Sequence, residues 1–165
     1  MIRRSFVLCT ASASLMPGVS FAADTVTGRF AGQRKEAKLD FASAHARDGS
    51  SGKDAVVIVL TEKDHSSSKN PAHDAEFGEF GNAATISVYK PAGDVFETQL
   101  VNSGFPQNPV TVVGPIKGKD VKFIGNRVEG RFTSNGPITM FEGRPYEIVF
   151  DLDIHANAEI HPKSV

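Results

Sequence analysis

A single cysteine, no tryptophan and only two tyrosines define this 165-residue chain by what it lacks. The cysteine is Cys9, so everything after it is free of thiols. That excludes an intrachain disulfide, a Cys-ligated metal and a cysteine nucleophile in the rest of the chain. Core packing and backbone pairing must hold the fold together, and a chain of this length buries enough apolar surface for one domain. An excess of one charge is also missing. Lys and Arg number 18 against 19 Asp and Glu, and the basic residues are interleaved with acids. Without a basic stripe and stacking aromatics, a nucleic-acid partner is not expected. No basic amphipathic helix offers itself to anionic lipid, and no run of the expected mature chain is apolar for long enough to insert in a membrane.

What is present starts with an address. Met1-Ile2-Arg3-Arg4 is a short basic opening, Ser5 to Val19 carries no charge, and Ser20-Phe21-Ala22 has the small-x-small form of a cleavage site. This is the three-part layout of a secretory signal peptide over residues 1–22. It predicts cleavage before Ala23 and a periplasmic or secreted domain over residues 23–165. Leu8 before Cys9, with few residues upstream, does not fit a lipoprotein signal. Losing Arg3 and Arg4 takes the formal charge of −1 two units further negative.

Glycine, proline and short β-branched runs favour strands and turns over helices. Val26 to Phe30 alternates as a first strand. Lys38 to Arg47 begins with Leu39 and Phe41 in phase and then shifts to Ala42, Ala44 and Ala46, which predicts a β-bulge. Ala55 to Thr61 is an unbroken apolar run, the pattern of a central strand covered on both faces. Glu62 to Pro71 is polar and reads as a long surface loop. Ala72 to Phe80 has helical spacing for at most two turns. Ala84, Ile86 and Val88, the turn Pro91-Ala92-Gly93-Asp94, and Phe96, Thr98 and Leu100 form a hairpin. Short strands follow near Val110–Val113, Val121–Ile124 and Arg127–Thr133. Tyr146 to Ala156 places Ile148, Phe150, Leu152 and Ile154 inward. The expectation is all-β: one antiparallel β-sandwich, or flattened barrel, of about eight strands with one short helix, and a tail or frayed strand end over residues 158–165.

In this order, Gly28-Arg29-Phe30, Ala42-Ser43-Ala44-His45-Ala46, Val56-Val57-Ile58-Val59-Leu60-Thr61, and Phe150-Asp151 trailed by Ala156 and Ala158 resemble a group of small exported all-β proteins of Gram-negative bacteria. The resemblance implies the fold and export. It brings no activity and no catalytic residue.

The sharpest chemistry on offer is a divalent metal. Asp151, Asp153 and His155 share one face of the last strand, with His65 and the His73-Asp74 pair as further ligands from the loop and short helix. Against this, alternate polar residues are what a solvent-facing strand requires, and their charge also deters edge-to-edge pairing. Ser66-Ser67-Ser68 near His65 and His73 lacks the nucleophile elbow of a serine hydrolase. Glu97, Glu129, Glu142 and Asp153 are the carboxylates available for sugar chemistry, but no stacking tryptophan accompanies them. Gly114 to Asp120 lacks the Ser/Thr and the helix of a phosphate loop. Phe105, in a polar loop, either plugs the end of the fold or meets a partner; Phe77 and Phe80 pose the same question. The reading is an exported, non-enzymatic binding module for a protein or small-molecule ligand in the envelope, with no cofactor. A periplasmic divalent-metal-binding protein and a small secreted hydrolase or carbohydrate-active domain are the alternatives.

Overall fold

The computed structural model describes residues 23–141 and 147–163. The signal segment, Glu142, Tyr146 and the last two residues of the predicted tail lie outside the described residues. Eleven strands are present among those described: β1 Thr25–Gly32, β2 Lys35–Ala37, β3 Phe41–Asp48, β4 Asp54–Thr61, β5 Ala83–Tyr89, β6 Val95–Val101, β7 Val110–Val112, β8 Lys117–Ile124, β9 Arg127–Thr133, β10 Ile138–Phe141 and β11 Glu147–His161. One short helix, α1 Pro71–Glu76, follows β4. The chain is mostly β, and its sheet curls into a half-barrel. Strand order along the curl is β2-β1-β11-β3-β4-β5-β6-β7, with β9 and β10 on the other edge of β11 and β8 beyond β9.

The hub is β11. Its alternation of apolar and polar residues continues to Ala158, so one side chain in two is core from Ile148 onward. That length lets it pair with β1 over Phe150–Asn157, with β9 over Asp153–Glu159 and with β10 at its start. Its last residues, Ile160 and His161, run parallel to Ala44 and His45 of β3. Two expectations are corrected here. Residues 158–161 are strand rather than tail, because Ala158 is fully buried opposite Val128. The sheet is also not wholly antiparallel, since β11 joins β3 in parallel and thereby links its two halves. Gly28 allows the close pairing of β1 with β11: its φ is +122°, and a Cβ there would collide with the Asp153 carbonyl oxygen.

The apolar run of β4 is covered on both faces, as its pattern predicts. Val56, Ile58 and Leu60 enter the main core with Phe30, Ile86, Leu100, Phe132, Phe150 and Leu152. Val57 and Val59 face outward into a smaller cluster with Ala75, Ala83 and Val101, over which α1 packs. No bulge interrupts β3, which pairs in unbroken register with β4 from Phe41 to Asp48. Leu39 is buried just before the strand begins, and that irregular entry accounts for the change of phase. Thus Ala42 and Ala44 turn inward while Ser43, His45 and Arg47 line the outer face. Two unexpected short strands, β2 and β10, raise the count, while β7 lies where the short strand near Val110–Val113 was expected; runs of three or four residues carry almost no periodic signal.

Candidate functional site

The outer face of β3 and β4 carries a cleft of about 460 Å³. Four distant pieces of chain build it: Asp24 ahead of β1, Ser43 and His45 on β3, the loop after β4 with His65, and His161 at the end of β11. Parallel pairing sets His161 directly beside His45, with ring centres 5.4 Å apart. Ser66 and Ser68 form the rim from the loop, while Phe41 and Pro71 add apolar wall.

A hydrogen-bonded chain runs through this cleft, and its directions follow from counting protons. Thr61 Oγ1 donates to the Lys63 carbonyl at 2.7 Å and lies 2.6 Å from His65 Nδ1. One hydroxyl has one proton, so Nδ1 of His65 must be the donor and Nε2 the acceptor. Ser43 Oγ, 2.8 Å from Nε2, therefore donates to His65. With that proton committed, His45 Nε2, 3.0 Å from the same oxygen, donates to Ser43. Both imidazoles are neutral in this arrangement. Burial, then the neighbouring His161 and His65, pushes His45 down to about 4. Burial also lowers His65, against the opposing pull of Asp64 and Asp24.

The two carboxylates of the cleft are engaged. Asp24 pairs with Arg127 at 2.9 Å and accepts the Glu159 amide. Asp64 accepts the Ser66 amide, which holds its carboxyl below the usual range. Among the described residues no lysine or arginine lines the cleft, so its electrostatics favour a cation or a neutral polar ligand over an anion. A serine on an imidazole oriented by a third group is also the pattern of an activated nucleophile. Here the third group is the uncharged Thr61, which cannot stabilise an imidazolium as a carboxylate does, and Ser43 sits on a regular strand. The arrangement is better suited to holding a ligand than to acyl transfer.

Below this cleft, beside α1, lies a second of about 250 Å³ that shares His45 and adds Arg47, His73, Glu76 and Lys163. Arg47 donates to Ser87 at 2.6 Å and pairs with Glu97 at 3.4 Å. Burial pushes the Glu76 carboxyl up. This polar layer has its charges matched across strands.

The residues singled out in the sequence fall elsewhere. Asp151, Asp153 and His155 do share a face of β11, but the flanking strands meet them with partners. Arg131 grips Asp153 through two bonds of 2.6 and 2.5 Å, Arg29 reaches Asp151 at 3.3 Å, and His155 faces Glu129 at 3.6 Å. Arg131 also holds the Asp153 carboxyl below its ordinary range. His65 lies in the histidine cleft and His73 on exposed α1 beside Asp74, so neither joins the row. Among the described residues, no three His, Cys, Asp or Glu converge as positioned on a point that could hold an ion. Phe105 is 7% exposed and packs edge-on against Phe30, which makes it a plug rather than an exposed contact for a partner. Phe77 faces outward at 70% exposed, while Phe80 packs half-buried against the smaller cluster. Glu97 and Glu129 are taken by Arg47 and His155, and Lys117 to Asp120 open β8 with no helix following. Sequence reasoning missed Ser43, His45, His161 and Asp24. The alternation of Ser43 and His45 with alanines was the available signal.

No family model, curated protein or solved structure matches this chain. Among the described residues, no helix is long and apolar enough to cross a membrane.

Proposed function

We propose that this chain is an exported, non-enzymatic binding module whose ligand occupies the cleft between His45, His65 and His161. One observation carries the reading: three of the five histidines, from segments far apart in sequence, meet in one cleft. His65, Ser43 and Thr61 are buried and, with half-buried His45, pre-organised to bind, since mutual hydrogen bonds already fix their rotamers. The sandwich reading of the curled sheet belongs to the same proposal, because two-layer closure over one core leaves the outer face of β3, beside α1, free for a site. Export follows from the N-terminal layout and suits a domain without thiols downstream of residue 9.

The test is native mass spectrometry of the chain purified from its own cell envelope. Ser66 is exposed at the rim, so Ser66→Trp narrows the cleft without touching the core. The expected result is a bound small ligand on the parent that is absent from a Ser66→Trp variant of equal melting temperature. A ligand that persists in the variant, or a parent that never carries one, overturns the reading.

A further inference from the structure

The geometry points to the ligand class: we propose that the cleft takes an imidazole-preferring divalent cation, zinc, copper(II) or nickel, held by His45 and His161 with His65 as third ligand. This rests on the cleft being the binding site and adds what binds there. Two imidazoles on one such ion, with each nitrogen at about 2.0–2.1 Å, have ring centres roughly 5 Å apart. His45 and His161 stand at 5.4 Å, fixed side by side by the parallel pairing of β3 and β11. The third imidazole is close. His65 Nε2 and His45 Nε2 both contact the Ser43 hydroxyl, so a single oxygen atom separates them. An ion entering there displaces that hydroxyl, the His45 ring moves its proton from Nε2 to Nδ1 so that Nε2 can ligate, and the three rings draw inward by side-chain rotation.

Supporting contacts match those of a histidine metal site. A ligating histidine usually donates its other ring N–H to an oxygen, which fixes its tautomer. Thr61 already does this for His65, leaving Nε2 with its lone pair toward the cleft. The chemistry of the surroundings selects among ions. Calcium and magnesium need several oxygens, and the two carboxylates here are engaged with Arg127 and the Ser66 amide. Imidazole nitrogens suit zinc, copper and nickel, and among the described residues no ammonium or guanidinium lines the cleft to repel them. His161 is exposed and His45 half-buried, so an ion has a path in.

The test is calorimetric and thermal titration of the untagged, chelator-stripped chain with zinc, copper(II) and nickel chloride. The expected result is one ion per chain for at least one metal, with Kd on the order of 1 μM or below and a raised melting temperature. His161→Gln and His45→Gln each weaken binding by more than about a hundredfold, beyond the roughly 10–100-fold that a lost supporting contact costs. His155→Gln, in the ion-paired row on β11, leaves it unchanged. No binding of any of the three ions, or binding that survives His161→Gln and His45→Gln together, overturns the proposal. If the ions fail while a native ligand is still excluded by Ser66→Trp, the metal is wrong and the cleft stands. If the native ligand is absent as well, both readings fall.

Discussion

The same substitution at two buried threonines should move stability in opposite directions. Thr61 and Thr98 are both almost wholly shielded from water. Thr61 Oγ1 joins two partners, the Lys63 carbonyl and His65 Nδ1, whereas Thr98 Oγ1 has none among the described residues. In Thr61→Val the imidazole N–H of His65, itself 4% exposed, loses its acceptor. Lys63 is exposed, so its carbonyl is within reach of water and the loss falls on His65. An unpaired buried donor costs about 1–3 kcal/mol, which at roughly 4 °C per kcal/mol lowers the melting temperature by several degrees. In Thr98→Val a hydroxyl that was stripped of water without compensation is replaced by a methyl of similar size, and stability should rise by about 1 kcal/mol. Urea unfolding of both variants at pH 7.5 reads the sign directly, with unchanged m-values as the check that only stability has moved. Nitrogen-15 spectra of the histidine rings read the cause: His65 should carry its proton on Nδ1 in the parent, and lose that preference in Thr61→Val. Two valine variants that shift the same way, or a parent His65 protonated at Nε2, would refute the proton-counting argument.

Acidification of the metal-free chain should weaken it. His45 is held near 4 against an ordinary 6.5, so the unfolded chain binds more protons between those values. The stability from keeping this ring neutral is complete above about pH 6.5 and lost as pH falls toward 4; partial exposure cuts the full shift to about 1–2 kcal/mol. His161, His65 and, further off, Asp24 and Asp64 face the same cleft, and His45→Gln should flatten part of the acid limb of a stability–pH curve. Ile58→Ala, at a fully buried site in β4, should cost about 2–5 kcal/mol through lost burial and a cavity, and an unchanged urea midpoint would mean that β4 is not central. Intact-mass measurement of the exported protein should give a chain beginning at Ala23; retention of Cys9 would end the export reading.

The core was legible because it is written in local periodicity. Val56, Ile58 and Leu60 against Val57 and Val59 predict a strand covered on both faces, and Ile148, Phe150, Leu152 and Ile154 predict one inward face; both sets lie where the pattern puts them. The hairpin of β5 and β6 was equally plain, since its turn residues and its alternation agree. What escaped was either too short or too compliant to leave a pattern. β2 and β10 are three or four residues long, and the end of β11 carries only the small apolar residues Ala156 and Ala158, a weak signal although both are buried where the strand pairs with β9.

The site was illegible for a different reason. Asp151, Asp153 and His155 on one strand, and Ser43 and His45 on another, present the same local signal: polar residues at alternate positions. Their fates diverge through what lies alongside. β11 is flanked by β1 and β9, which bring Arg29 and Arg131 into register with the acids, so that row is neutralised pairwise on an open surface. β3 is flanked by β4 and the end of β11, which bring Val57, Val59 and His161, and the loop before α1 then lays His65 over Ser43. Neither outcome is encoded in the strand that carries the row. Register between segments more than a hundred residues apart decides which polar face becomes a solvated surface and which becomes a cleft, and single-strand periodicity contains no register between strands.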